Sequence, residues 1–119
     1  MLIGMKMFRL IACLLLSLSA ASLAAQSADQ LYSGGRSAFV DGLWTTAASQ
    51  FSRLLREYPD DSRADSAAYM GAVAHFNAGQ YARCIEMLES FPNRYPESAW
   101  NRRIAYWEGL ARYESGDWR

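Results

Sequence analysis

The sequence has few of the residue types that build catalytic and metal centres. It contains one histidine and two cysteines in 119 residues. A single histidine provides neither a His-based metal cluster nor a catalytic triad in this segment. The run Gly34-Gly35-Arg36-Ser37 lacks the spacing of a nucleophile elbow or a phosphate loop. We interpret His75 as a packing or surface residue, and the sequence predicts no cofactor, no metal and no enzymatic activity.

The N-terminal segment has the residue order of a secretory signal peptide. Two cations precede an almost wholly apolar run over 10–18, which is followed by a stretch rich in small residues. Ser22-Leu23-Ala24 predicts cleavage before Ala25, so that residues 1–24 are the signal peptide.

Two alternatives remain for this segment. An uncleaved membrane anchor needs about 20 apolar residues, and serines interrupt the run from Ser17 onwards. The sequence Leu10-Ile11-Ala12-Cys13 also spells a lipoprotein cleavage box. Cys13 follows Arg9 by only four residues, however, and most of the apolar run lies beyond it. Cleavage near Ala24 is therefore the preferred interpretation.

The segment after residue 24 has no lysine and little net charge. Ten arginines stand against twelve acidic residues, a net charge of −2. This balance gives no electrostatic footprint for nucleic acid or anionic lipid. Cys84 is the only cysteine there, which excludes an internal disulfide. An export signal combined with one thiol is typical of a bacterial envelope compartment, so we expect an exported protein, periplasmic or associated with the outer membrane.

The most informative feature that is present is a repeat of 37 residues. Its glycines, Gly42, Gly79 and Gly116, are each followed two positions later by an aromatic residue. The same spacing relates Tyr58-Pro59 to Tyr95-Pro96. A period of this size indicates stacked supersecondary units that cannot bury their apolar faces alone.

Each unit reads as helix, glycine turn, helix and proline stop, with no period-two alternation that would predict a strand. The capping box at Ser27 opens the first helix, and prolines end or shorten later ones. The first predicted helix runs from Ser27 to about Asp41, and the second from near Trp44 to before Pro59. The third begins at a cap at Asp61 or Ser62 and ends near Ala78. The fourth begins at Tyr81 and is shortened by Pro92, and the fifth runs from around Ser98 to about Ser115. The predicted fold class is all-α.

These residues resemble the tetratricopeptide repeat family over roughly 28–118. The first helices carry a small residue at one repeated position, which is Gly35, Ala72 or Gly109, and an aromatic residue follows each turn, at Trp44, Tyr81 and Trp118. The second helices carry a small residue at Ala47 and Cys84 and a bulky one at Phe51 and Leu88, and they end at Pro59 and Pro96. The period exceeds the usual one of about 34. The chain is most similar to envelope members such as the Tol-Pal cell-division coordinator and the outer-membrane-protein assembly lipoprotein.

The resemblance implies a right-handed superhelical array of antiparallel helix pairs. Repeats would cover 28–64, 65–101 and, in part, 102–119. The third unit reaches the turn that introduces a second helix but not that helix, so we expect the array to continue in a longer parent protein. Cys84 is read as a small buried hydrophobe.

The predicted binding surface is a stripe of the first helices that the family places on its concave side. Its members are spaced as one helical face, and we expect them to bind a protein or peptide partner. They are Tyr32, Arg36, Phe39, Tyr69, Val73, Phe76, Asn77, Tyr106, Leu110 and Tyr113. The predicted function is a non-enzymatic interaction scaffold in the bacterial envelope, with peripheral association to envelope complexes. The alternative is the N-terminal arm of a longer cell-wall-acting enzyme.

Overall fold

The computed structural model describes residues 4–9, 11 and 26–117. Residues 4–9 are helical, and 26–117 form five α-helices without a strand. The helices are α1 (Ala28–Val40), α2 (Trp44–Glu57), α3 (Ala64–Asn77), α4 (Tyr81–Arg94) and α5 (Asn101–Ser115). In the described part of the chain the all-α prediction is confirmed. The predicted cleavage site before Ala25, the lipoprotein box at Cys13 and the aromatic Trp118 lie outside the described residues.

Three glycine turns close the first helix of each repeat in the same way. Gly42, Gly79 and Gly116 adopt left-handed φ angles of 73°, 75° and 77°. Such angles favour glycine because it has no Cβ. The residue after each glycine donates its backbone N–H to a carbonyl near the helix end, over 2.8 Å at Leu43 and 2.9 Å at the two later turns. Each of the first two turns thus reverses the chain within three residues.

The predicted capping box at the start of α1 is confirmed. The Ser27 hydroxyl accepts the Gln30 backbone N–H at 3.2 Å, and the Gln30 side-chain oxygen accepts the Ser27 backbone N–H at 3.0 Å. Both groups would otherwise be unpaired donors at a helix N-terminus. This arrangement fixes where the first repeat begins.

The core consists of two clusters, one for each complete repeat. The first is centred on Phe51 and the second on Leu88 and Phe91, all three of which are inaccessible or nearly so. Phe39 and Leu55 pack against both clusters, so the repeats share a continuous interior. Each helix packs on its neighbour along the chain, and α1 also contacts α3. This is the packing of a tetratricopeptide-like helical fold.

Small residues mark the closest helix approach, as predicted. Gly35 is buried, and a Cβ added there would lie 2.7 Å from Cε1 of Phe51. Its counterpart Ala72 is fully buried, and so is Cys84. Gly109 differs, because nothing lies within 4 Å of its Cβ position among the described residues. The third small position is therefore open.

Three helix boundaries differ from the prediction. Helix α4 was expected to be short, but it continues through Pro92 to Arg94. Pro92 is exposed and lies in the last turn, while Phe91 beside it is buried and holds that turn on the core. The proline therefore removes one backbone bond near the helix end without breaking the helix.

Helices α3 and α5 start later than predicted. Asp61 does not cap α3; its carboxylate accepts the backbone N–H of Arg63, the residue before the helix, at 2.9 Å. Ser98 does not begin α5 either. Its hydroxyl donates to Asp65 at 2.6 Å and accepts the Trp100 backbone N–H at 3.2 Å, which orders a turn before Asn101. Polar side chains bonded locally compete with the helix at both places.

Candidate partner-binding surface

The ten residues of the predicted stripe lie on α1, α3 and α5, the first helices of the three repeats. We call this set the aromatic stripe. Its members divide into two kinds: some are covered by side chains from the end of their own repeat or from the next repeat, and others are exposed. This division, which the sequence did not predict, determines how much of each side chain is accessible.

Tyr32 on α1 is covered by a cation. The Arg63 guanidinium lies 4.9 Å from the centre of its ring, within the range of a cation–π contact. Asp61 and Asp29 hold that guanidinium at 2.9 and 2.7 Å. The hydrogen bonds from the Arg63 side chain and backbone lower the pKa of Asp61 from 3.8 to about 2. Tyr32 remains half-buried, so part of the ring is accessible.

Tyr69 on α3 is covered more completely. Trp100 stacks on its ring with centroids 4.2 Å apart and planes within 14°, and Trp107 donates its indole N–H to the Tyr69 hydroxyl at 2.8 Å. Tyr69 is only 7% exposed and Val73 is buried beside it. Both residues therefore lie beneath the exposed members of the stripe. Their burial disfavours the prediction that they contact a partner.

Phe39 and Phe76 occupy the same place in successive repeats and are half-buried. Phe39 meets the edge of Trp44 at 5.2 Å, and Phe76 meets Tyr81 and Trp107 at 5.3 Å each. Edge-to-face pairs of this kind fix the ring orientations. The two phenylalanines join the core to the accessible part of the stripe.

The open members of the stripe lie mainly on α5 and at the end of α1. Tyr106 and Tyr113 are 66% and 63% exposed, and Leu110 between them is half-buried. Arg36 on α1 is exposed. Asn77 is exposed too, although its side-chain amide donates to the Val73 carbonyl at 3.0 Å. Val40, next to Phe39, extends the same surface and is 80% exposed.

Sequence reasoning missed the three residues that cover the tyrosines. Arg63 and Trp100 are themselves 37 positions apart, so the repeat register could have identified them as one structural position. Trp107 had no such signal, because its counterparts are Met70 and Ser33. Only the contact with the Tyr69 hydroxyl reveals its role.

The remaining candidate reactive groups are placed as structural residues. Burial raises the pKa of the Cys84 thiol to about 11, which disfavours the reactive thiolate. His75 pairs its Nδ1 with the Gln80 side-chain oxygen at 2.6 Å. Among the described residues, no group of three or more histidine, cysteine or acidic side chains is arranged to hold a metal ion.

The fold and its repeated turns define a helical repeat protein of the tetratricopeptide type. A family model described as outer membrane lipoprotein, YfiO, matches residues 24–118, and the chain belongs to that family. No curated protein and no solved structure matches the chain. The family indicates an envelope protein-interaction scaffold, and the resemblance to the Tol-Pal coordinator stays untested. No helix of 4–9, 11 and 26–117 is long and apolar enough to cross a membrane.

Proposed function

We propose that the chain is an envelope scaffold that binds a peptide or helix of a protein partner along the aromatic stripe. The observation that carries this proposal is the open surface of the first helices: a cavity of about 380 Å³ on α1 is lined by Tyr32, Arg36 and Val40. On α5 of the described chain, Tyr106 and Tyr113 are 66% and 63% exposed. They stand seven positions apart and therefore share one face of α5. Large aromatic side chains provide contact area at low entropic cost, and tyrosine adds a hydroxyl group.

The supporting residues give this surface a fixed shape. Trp107 lies between the rings of Tyr106 and Phe76, at 5.5 and 5.3 Å. The buried Tyr69 holds the Trp107 indole by a hydrogen bond. A surface that is ordered before binding loses less conformational entropy when the partner docks. In the proposed superhelix this face is the concave one.

The test compares two pairs of tyrosine and phenylalanine substitutions. Tyr106→Ala with Tyr113→Ala should weaken binding of a partner recovered from envelope extract by more than about tenfold, because a hot-spot aromatic contributes about 2 kcal/mol or more. Helical circular dichroism should remain at the wild-type level, since both rings are exposed. Titration of the purified partner gives the affinity.

The matched pair is Tyr69→Ala with Phe76→Ala. It removes covered rings, so we expect loss of thermal stability as well as of binding. Full partner affinity in a folded Tyr106→Ala, Tyr113→Ala variant would contradict the proposed surface.

We also propose export with removal of residues 1–24, and continuation of the repeats beyond the third turn. The intact mass of the envelope form tests the first point, with Ala25 as the expected first residue. An acylated Cys13 would contradict cleavage before Ala25. Because the family is described as an outer membrane lipoprotein, acylation is the alternative outcome for which the mass measurement should be checked. Sequencing the messenger downstream of Arg119 tests the second point.

A further inference from the structure

A second surface lies on the other helices of the repeats, between α2 and α4. There a groove of about 330 Å³ is lined by Ser52, Leu55, Arg56, Arg83, Glu86, Met87, Ser90 and Arg94. We call it the arginine groove. It shares no residue with the aromatic stripe, so it requires an explanation of its own.

The groove carries a positive charge in a chain that is otherwise slightly acidic. Its three arginines face a single acidic side chain, Glu86, which pairs with Arg83 at 2.8 Å. Arg56 and Arg94 are exposed and form no ion pair with the described residues. Two guanidinium groups are therefore available at the rim, each able to hold a carboxylate by two parallel hydrogen bonds.

The floor of the groove is apolar and firmly held. Leu55 and Met87 form it, and both are half-buried. Leu55 packs against both core clusters, so its position is set by the whole interior. A small cavity of about 30 Å³, also lined by Ala68 and Phe91, continues beneath them. The groove therefore combines an apolar floor with arginine side chains at its edges.

We propose that the arginine groove docks a short acidic peptide segment of a protein partner. Carboxylates of the peptide pair with Arg56 and Arg94, and one apolar side chain between them rests on Leu55 and Met87. Paired charges at the rim of an interface set its orientation and raise the association rate, while the apolar anchor slows dissociation.

The charge and size of the groove favour a peptide over an anionic bilayer. The segment after residue 24 carries a net charge of −2, so a flat anionic surface repels the molecule as a whole. A volume of about 330 Å³ accommodates a few side chains. An apolar floor stabilises an apolar side chain of a peptide, but it forms no hydrogen bond or ion pair with a phosphate or a lipid headgroup.

The probe is a fluorescent decapeptide in which Glu and Asp residues flank one central leucine, titrated against the purified protein by anisotropy at low and moderate salt. We expect saturable binding that weakens as salt is added. A peptide with lysines in place of the acidic residues should not bind. A serine in place of the leucine should weaken binding several-fold.

Two variants of equal net charge separate the groove from general electrostatics. Arg56→Gln with Arg94→Gln should weaken the acidic peptide at least tenfold. Arg102→Gln with Arg103→Gln removes two exposed arginines that belong to neither surface and should change affinity less than about twofold. Equal losses in both variants, or no saturable binding of the acidic peptide, would overturn the proposal.

Three further outcomes complete the test. Stronger retention on vesicles with anionic headgroups than on the peptide, lost in Arg56→Gln with Arg94→Gln, would assign the groove to a membrane surface and overturn the proposal. Self-association in sedimentation that requires these arginines would assign it to a second copy and overturn it equally. Retained peptide binding in Tyr106→Ala with Tyr113→Ala is expected, because the two surfaces are separate; its loss would contradict that separation.

Discussion

Two neighbouring glycines in α1 should respond to alanine in opposite ways. A Cβ at Gly34 meets only the side chain of Gln50, at 3.8 Å, which is ordinary contact. A Cβ at Gly35 would lie 2.7 Å from Cε1 of Phe51 and 2.9 Å from Cδ1 and Cζ of the same ring. Phe51 is fully buried, so a shift of its ring would disturb the first core cluster.

The magnitudes follow from two opposing terms. Replacing glycine by alanine within a helix stabilises it by about 1 kcal/mol at most, and this gain applies to both positions. Overpacking a filled core costs about 1–3 kcal/mol and applies only to Gly35. Because the helix term cancels in the comparison, Gly35→Ala should be less stable than Gly34→Ala by about 1–3 kcal/mol.

Thermal and urea unfolding followed by circular dichroism measure this difference. In a domain of this size, 1 kcal/mol corresponds to about 4–8 °C in Tm. Gly109→Ala serves as a second control, because none of the described residues lies within 4 Å of its Cβ position, and it should behave like Gly34→Ala. In a Phe51→Leu background the penalty at Gly35 should shrink. Equal stability of the Gly34 and Gly35 variants would refute the packing of Phe51 on α1.

Three further predictions concern single contacts. Tyr69→Phe removes the acceptor of the Trp107 indole N–H and should lower stability by about 0.5–1.5 kcal/mol. Tyr106→Phe should leave stability unchanged in the same urea titration, and equal effects would argue against the Tyr69 bond. The lowered pKa of Asp61, about 2, means that its stabilisation is complete above about pH 4 and lost as pH falls towards 2. Asp61→Asn should flatten that part of an acid titration followed by circular dichroism, and an unchanged acid limb would contradict the Arg63 contact. Cys84, with its pKa raised to about 11, should react with a thiol reagent at pH 8 far more slowly in the native protein than in urea, and comparable rates would show that it is accessible.

Local features of the fold could be predicted because they depend on nearby residues. The αL glycines at 42, 79 and 116 and the capping box at Ser27 involve only a few consecutive positions. The small residue at 35 opposite the ring at 51 follows from the repeat register. Pro92 was misjudged because a local rule was applied where tertiary packing of Phe91 decides the outcome.

The accessible part of the aromatic stripe could not be predicted, because it depends on which side chain at the end of each repeat lies opposite the ring. Tyr32, Tyr69 and Tyr106 are equivalent in sequence but differ in cover: an arginine lies over the first and a tryptophan over the second. The third is exposed in the described part of the chain. Tyrosines at equivalent positions of the repeats therefore differ in exposure, because the side chains that surround them differ.

Site-specific photo-crosslinking in the cell envelope tests the central claim most directly. A photoreactive residue is placed at Arg36, Asn77 or Tyr113 on the aromatic stripe, and at Thr46, which is exposed on α2 and lines neither surface, as the control. We expect adducts with one and the same protein partner from the three stripe positions and none from Thr46. Adducts from Thr46 with no adducts from the stripe positions would contradict the proposed surface.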